Sequence, residues 1–229
     1  MVWAPEALWN PDKGESSQDL GRSRAWGSSS PNRAIHGLLG LKIRTSRLRS
    51  HEALAHRSQY PTSDPNHTGS PGNIQIRYSH TADFKTFSPA QTYINKAPTN
   101  IIDLDILSLG DGKSFVRFMK DESAKNVFCE VSTTGLFGTW TRPGGASAII
   151  ERQVEGPAAY LDNTVAGKAH VLLDFYGGDG YRPYETTNPQ SNSGWKASSM
   201  SGFPKNLRHG SVLPVNQTLY NALKSKWGA

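Results

Sequence analysis

The chain has a single cysteine, Cys129, so no disulfide can form within it. It lies in an alternating apolar stretch, which reads as a buried free thiol rather than a nucleophile. No run of 18 apolar residues occurs, which excludes a spanning helix. The opening residues Met1-Val2-Trp3-Ala4-Pro5-Glu6 lack the basic and then apolar order of a secretion signal. What is abundant is punctuation: 22 glycines and 14 prolines, with 6 tryptophans, among 229 residues. That mixture indicates many short strands joined by tight turns, not helices. The apolar fraction, 36%, is low but above the disordered range and suffices for one sizeable core or two small ones. Two sequons, Asn66-His67-Thr68 and Asn216-Gln217-Thr218, fit a secreted surface.

The net charge of +6 invites a nucleic-acid reading until it is located. Arg22, Arg24, Arg33, Lys42, Arg44, Arg47, Arg49 and Arg57 face only Glu52 between residues 21 and 57, so this one segment carries +7. The basic character belongs to a patch and not to the fold, and no nucleic-acid-binding motif is interleaved with it.

Along the chain, residues 1–13 read as a loop with Glu6 and a short strand with Trp9. Residues 14–60 show no sustained period of 2 or 3.6. Strand patterns return over 73–79, 101–107, 114–119 and 126–132, and again over 158–161, 169–174 and 181–187. Residues 216–227 close as a short helix with Asn216 as its cap. The strand sets repeat. Each opens with a carboxylate at a strand mouth and closes with an aromatic residue: 37 positions separate Asp103 from Trp140, and 40 separate Glu155 from Trp195. One four-stranded unit every 40 to 50 residues is the signature of propeller blades. Phe87 closes the first set, but it lies 81 positions after Glu6, an excess close to the length of the basic stretch. Residues 14–60 therefore read as an insertion, either non-native sequence from a retained intron or frameshift, or a basic loop that binds acidic polymers or membranes.

Glu155 is the first catalytic candidate. It stands before the Gly156-Pro157 turn at the mouth of an apolar strand, where burial would raise its pKa and suit it to donate a proton. The competing reading is a turn glutamate beside an edge strand.

Four motifs in this order resemble glycoside hydrolase family 43: Val2-Trp3-Ala4-Pro5-Glu6, Ile102-Asp103, Val154-Glu155-Gly156-Pro157 and Arg208-His209-Gly210-Ser211. Lys120-Asp121-Glu122-Ser123 and Asp174-Phe175-Tyr176-Gly177-Gly178 agree with it. The resemblance covers residues 1–13 and 61–229 and implies an all-β, five-bladed β-propeller that cleaves arabinose- and xylose-containing plant polysaccharides with inversion. It implies Glu155 as general acid, with Asp103 orienting it and tuning its pKa by like-charge repulsion. Trp3, Glu6 and Arg208 would bind substrate, and His209 would lie near a central water or calcium. No cofactor is required beyond that structural calcium. The implied partner is an oligo- or polysaccharide, with no nucleic acid and no membrane, and the implied location is extracellular.

Plainer readings stay open: Asp103 as a turn cap, Arg208 as a surface arginine, and His209 as a buried histidine satisfied by backbone. Tyr176, Tyr181 and Tyr184 either stack on sugar or pack between blades. The resemblance puts the general base upstream of Trp3, so the chain is expected to lack it, together with the first blade, and to turn over poorly. The alternative is a carbohydrate-binding propeller fragment without catalysis, and a third class is a polyanion binder acting through the Arg-rich segment.

Overall fold

Period-two alternation dictates a sheet protein. The computed structural model describes residues 2–9, 53–59, 74–81 and 85–228, the first two segments by their backbone only. Its strands form three antiparallel four-stranded sheets. The first holds β1 (Val2–Trp9), β2 (Ala53–Gln59), β3 (Gln75–Thr81) and β4 (Gln91–Ile94). The second holds β5 (Ile101–Ser108), β6 (Phe115–Asp121), β7 (Asn126–Ser132) and β8 (Glu151–Arg152). The third holds β9 (Glu155–Leu161), β10 (Ala169–Phe175), β11 (Gly180–Thr186) and β12 (Lys196–Ala197). Within each sheet the strands pair in chain order, the meander expected of the repeat. The first strand of the middle sheet, β5, packs against both β1 and β9. No helix among the described residues is long and apolar enough to cross a membrane.

The repeat runs deeper than strand order. In β1 the register steps between Trp3 and Glu6, so two residues oppose Arg57 alone. In β5 it steps between Ile102 and Asp105, and Asp103 and Leu104 oppose Met119. In β9 Gly156 and Pro157 oppose Leu173. Each leading strand thus carries a bulge near its start, a device that re-aims side chains beside a site. Pro5 and Pro157 sit within these bulges, where a missing N–H breaks no ladder bond. The left-handed backbone the bulges require falls on Gly156 (φ 52°) and on Asp103 (φ 52°), an aspartate being among the few residues with a side chain that tolerate it.

The alternation on β6 builds two cores. Val116 and Phe118 face the third sheet and join Val127, Cys129, Val171 and Leu173. Phe115 and Met119 face the first sheet and join Ile76, Ile94, Ile106 and Phe128. Burying side chains of this size stabilises by about 1.5–3 kcal/mol each. Trp140 and Trp195 hold equivalent places, each indole donating to the carbonyl four residues back, Leu136 at 3.1 Å and Ser191 at 2.9 Å. Cys129 is buried, and that burial pushes its thiol pKa up to about 12, which leaves it inert at neutral pH.

Two sequence expectations change. The 14–60 stretch reads in sequence as lacking strands, yet Ala53–Gln59 is the second strand of the first sheet, paired to β1 and β3. Its sequence, Ala-Leu-Ala-His-Arg-Ser-Gln, has no β-branched or aromatic residue, so its extended form comes from its neighbours and not from propensity. Phe87, which reads in sequence as the aromatic residue closing the first set, is exposed, and the next strand starts at Gln91. The remainder of the segment, residues 14–52 and 60, lies outside the described residues. The terminal helix α1 (Gln217–Trp227) forms as expected, with Asn216 Oδ1 accepting from Leu219 N at 2.8 Å.

Candidate active site

The mouths of β5 and β9 meet. Asp103 is buried, and its Oδ2 accepts from Gly156 N at 3.1 Å, tying one bulge to the other. Asp105 repeats the contact further along, accepting from Ala159 N at 2.7 Å. The Asp103 pKa is raised, first by burial and also by the charge of Glu155, against the opposing pull of His209, the Gly156 N–H and Lys120.

Glu155, the first residue of β9, is half-buried beside this carboxyl. Its Oε1 lies 3.5 Å from His209 Nε2. Its Oε2 accepts from Lys120 Nζ at 2.5 Å. The sequence placed a desolvated carboxyl here, but the nearest group is an ammonium and not an apolar wall. His209 Nε2 also lies 3.8 Å from Asp103 Oδ2 and 4.0 Å from Asp174 Oδ2. The imidazole therefore faces three carboxylates, and not the backbone alone as the plainer reading had it.

A short segment carries His209 across the mouths. Tyr181 N donates to Leu207 O at 2.9 Å. The Tyr181 hydroxyl donates to Gly156 O at 2.7 Å and accepts from Gly210 N at 2.9 Å. Burial raises the Tyr181 pKa well above the usual phenol range, so this bridge keeps its proton at any working pH. Arg208 reaches back to Asp174 Oδ1 at 2.9 Å and to Gly178 O at 3.0 Å, with about half of its side chain exposed. Of the three tyrosines weighed for stacking, Tyr181 is this bridge and Tyr184 lies in the core. Tyr176 stands at the site, its ring 4.8 Å from Lys120 Nζ.

The structure thus brings together Asp103, Glu155, His209 and Arg208. The side chains of Trp3 and Glu6 lie outside the described residues. Sequence reasoning quoted Lys120 and Asp174 within agreeing motifs without giving either a role, and weighed Tyr181 only for stacking or packing. The signal for Lys120 was present, since it falls in the same alternation as Val116 and Phe118 and so is a lysine on an inward face.

Ligand atoms of Asp103, Glu155 and His209 lie within 4.8 Å of one another. As a calcium site this trio fits poorly. Calcium takes six to eight oxygens, whereas two carboxylates and one imidazole nitrogen are offered, with an ammonium already on Glu155.

Residues 53–221 match a family related to glycoside hydrolase family 43, described as "Probable glycosyl hydrolase domain". The chain belongs to this family. That match covers β2 through the site segment and takes in the part of the insertion that proved to be a strand. Among solved structures, this family 43-related chain is similar to the catalytic domain of the Coprinopsis cinerea GH62 alpha-L-arabinofuranosidase, at 13% identity and TM-score 0.44, over 64% of this chain and 45% of that one. It is similar to a GH43 protein from Bacillus licheniformis at 13% identity and TM-score 0.44, over 75% and 34%. An exo-beta-1,3-galactanase from Phanerochaete chrysosporium matches at 9% identity and TM-score 0.39, over 65% and 33%. The chain spans less than half the length of each of these three. No curated protein sequence matches it.

Proposed function

We propose that this family member is a glycoside hydrolase for arabinose- or xylose-containing plant polysaccharides, with Glu155 donating the proton to the leaving oxygen in an inverting reaction. The observation that carries the reading is the meeting of two strand mouths, where Glu155 stands beside a buried Asp103 that is hydrogen-bonded to the next residue, Gly156. Asp103 orients the donor through that bond. Because its own pKa is raised, it also passes through a neutral form more readily than a free carboxyl. Arg208, half exposed at the rim, offers guanidinium donors to sugar hydroxyls. Trp3 and Glu6 belong to the same proposal as rim contacts, and the three sheets as blades of a five-bladed propeller. The water-activating carboxylate is assigned to none of the described residues.

One observation favours the second reading, a saccharide-binding site without catalysis. One oxygen of Glu155 is already engaged by the Lys120 ammonium. The two readings part on Glu155→Gln, assayed for pentose release from arabinoxylan oligosaccharides with binding followed by calorimetry. A proton donor contributes about 10²–10⁴-fold to rate. The hydrolase reading expects a loss of about 100-fold or more with binding retained. An unchanged rate would overturn it, and binding with no release by either protein would support the second reading.

A further inference from the structure

Lys120 is nearly as buried as the apolar residues around it, its side chain 3% exposed, yet it carries a full charge. Burial alone would lower its pKa, but its contacts with Glu122 and Glu155 outweigh that and raise it. The ammonium donates a hydrogen bond to Glu155 Oε2 at 2.5 Å. Glu122 Oε2 lies 2.7 Å from the same nitrogen as an ion pair. A buried ammonium held between two carboxylates, one of them the candidate acid, calls for an explanation.

The proton donation proposed for Glu155 supplies one, and any role for Lys120 rests on that reading. A general acid is protonated before transfer and ionised after it. If Lys120 had only Glu155 as partner, each protonation of Glu155 would leave an uncompensated buried ammonium, the costly half of a broken ion pair. We propose that Lys120 is a positioning residue for Glu155, and that Glu122 is the second carboxylate that holds Lys120 in place while Glu155 carries its proton. The Lys120–Glu122 pair is neutral by itself, so Glu155 changes charge without stranding its neighbour. Lys125 pairs with the other oxygen of Glu122 and fixes it from the solvent side. The Tyr176 ring, 4.8 Å from Nζ, confines the ammonium to the arc between the two carboxylates. Lys120 also stands opposite Ile102, one residue before the Asp103 bulge, so the register that aims Asp103 aims Lys120 too.

Glu155→Gln mimics the protonated acid. In 15N spectra of the lysine ammonium groups of the full chain, the signal lost in Lys120→Met identifies Lys120. The proposal expects this slowly exchanging signal to persist in Glu155→Gln and in Glu122→Gln, and to vanish only in the double variant. Its disappearance in Glu155→Gln alone would overturn the role of Glu122. In kinetics, Lys120→Met is expected to lower kcat about 10–100-fold on an unactivated pentose disaccharide with little change in KM. It should have far less effect on a 2,4-dinitrophenyl glycoside, whose leaving group departs without a proton. Lys120→Arg should restore part of the loss. An equal loss on both substrates, or none, would refute a positioning role. If Glu155→Gln abolishes turnover and Lys120→Met does not, only this inference falls. If Glu155→Gln changes nothing, the hydrolase reading falls first.

Discussion

Gly156 shows how much one absent side chain decides. A Cβ at this position would lie 1.9 Å from His209 Cδ2 and 2.3 Å from Nε2, and the backbone there has φ 52°. Gly156→Ala therefore has to push the imidazole off Glu155 while strained at a positive φ, a conformation that costs on the order of 1–3 kcal/mol. Denaturant unfolding should show a loss of that size, and the His209 ring resonances should move. Unchanged stability with unmoved resonances would contradict the packing described. Residue by residue, the site was partly legible. Glu155 stood out because a carboxylate before a Gly-Pro turn is a local pattern, and Asp103 because Ile102-Asp103 is one of the motifs that carry the family resemblance. Lys120 did not, because the carboxylate it pairs with, Glu155, lies 35 positions away. The Gly-Pro that reads as a turn is a bulge, since only pairing with β10 separates the two.

Elements were more legible where alternation is strict. The bounds of β7, Asn126–Ser132, match the pattern in the sequence because both of its faces pack against sheets. β2 escaped because propensity is silent there. The inward face of β6 toward the first sheet holds a further charged device. Arg117 and Lys96 both pair with Glu130, at 2.5 Å and 2.6 Å, and Arg117 lies over the Trp140 ring at 4.3 Å. Burial pushes the Glu130 pKa up, but Arg117 and Lys96 outweigh it, and the net shift is downward. A lowered carboxylate pKa stabilises above the unfolded value, near 4.5, and that contribution is lost as pH falls through the lower folded value. The melting temperature should fall as pH drops below about 4.5. Arg117→Met should cost about 3–5 kcal/mol at neutral pH, because it leaves Glu130 under-paired. It should also shrink the acid-dependent part. A variant as stable as the wild type, with the same acid profile, would remove Glu130 from the account.

At the scale of the molecule, three sheets with one bulge pattern place their leading strands together, and the site forms where two of those strands begin. The spacing of carboxylates and closing aromatics made this repeat visible in the sequence, because each sheet solves the same packing problem. The equivalence of the bulges was not visible, since Ala4-Pro5, Asp103-Leu104 and Gly156-Pro157 share no residue type at the first bulge position and become alike only through register. The net charge stays assigned to a segment whose larger part lies outside the described residues. The central claim, that a glycosidic bond is placed at the mouths of β5 and β9, is tested most directly by a crystal structure of the Glu155→Gln chain with an arabinose- or xylose-containing oligosaccharide. The account predicts a glycosidic oxygen within hydrogen-bonding reach, about 3 Å, of the residue 155 side chain, with Arg208 at the sugar. A saccharide seated away from residue 155, with the β5 and β9 mouths unchanged, would contradict it.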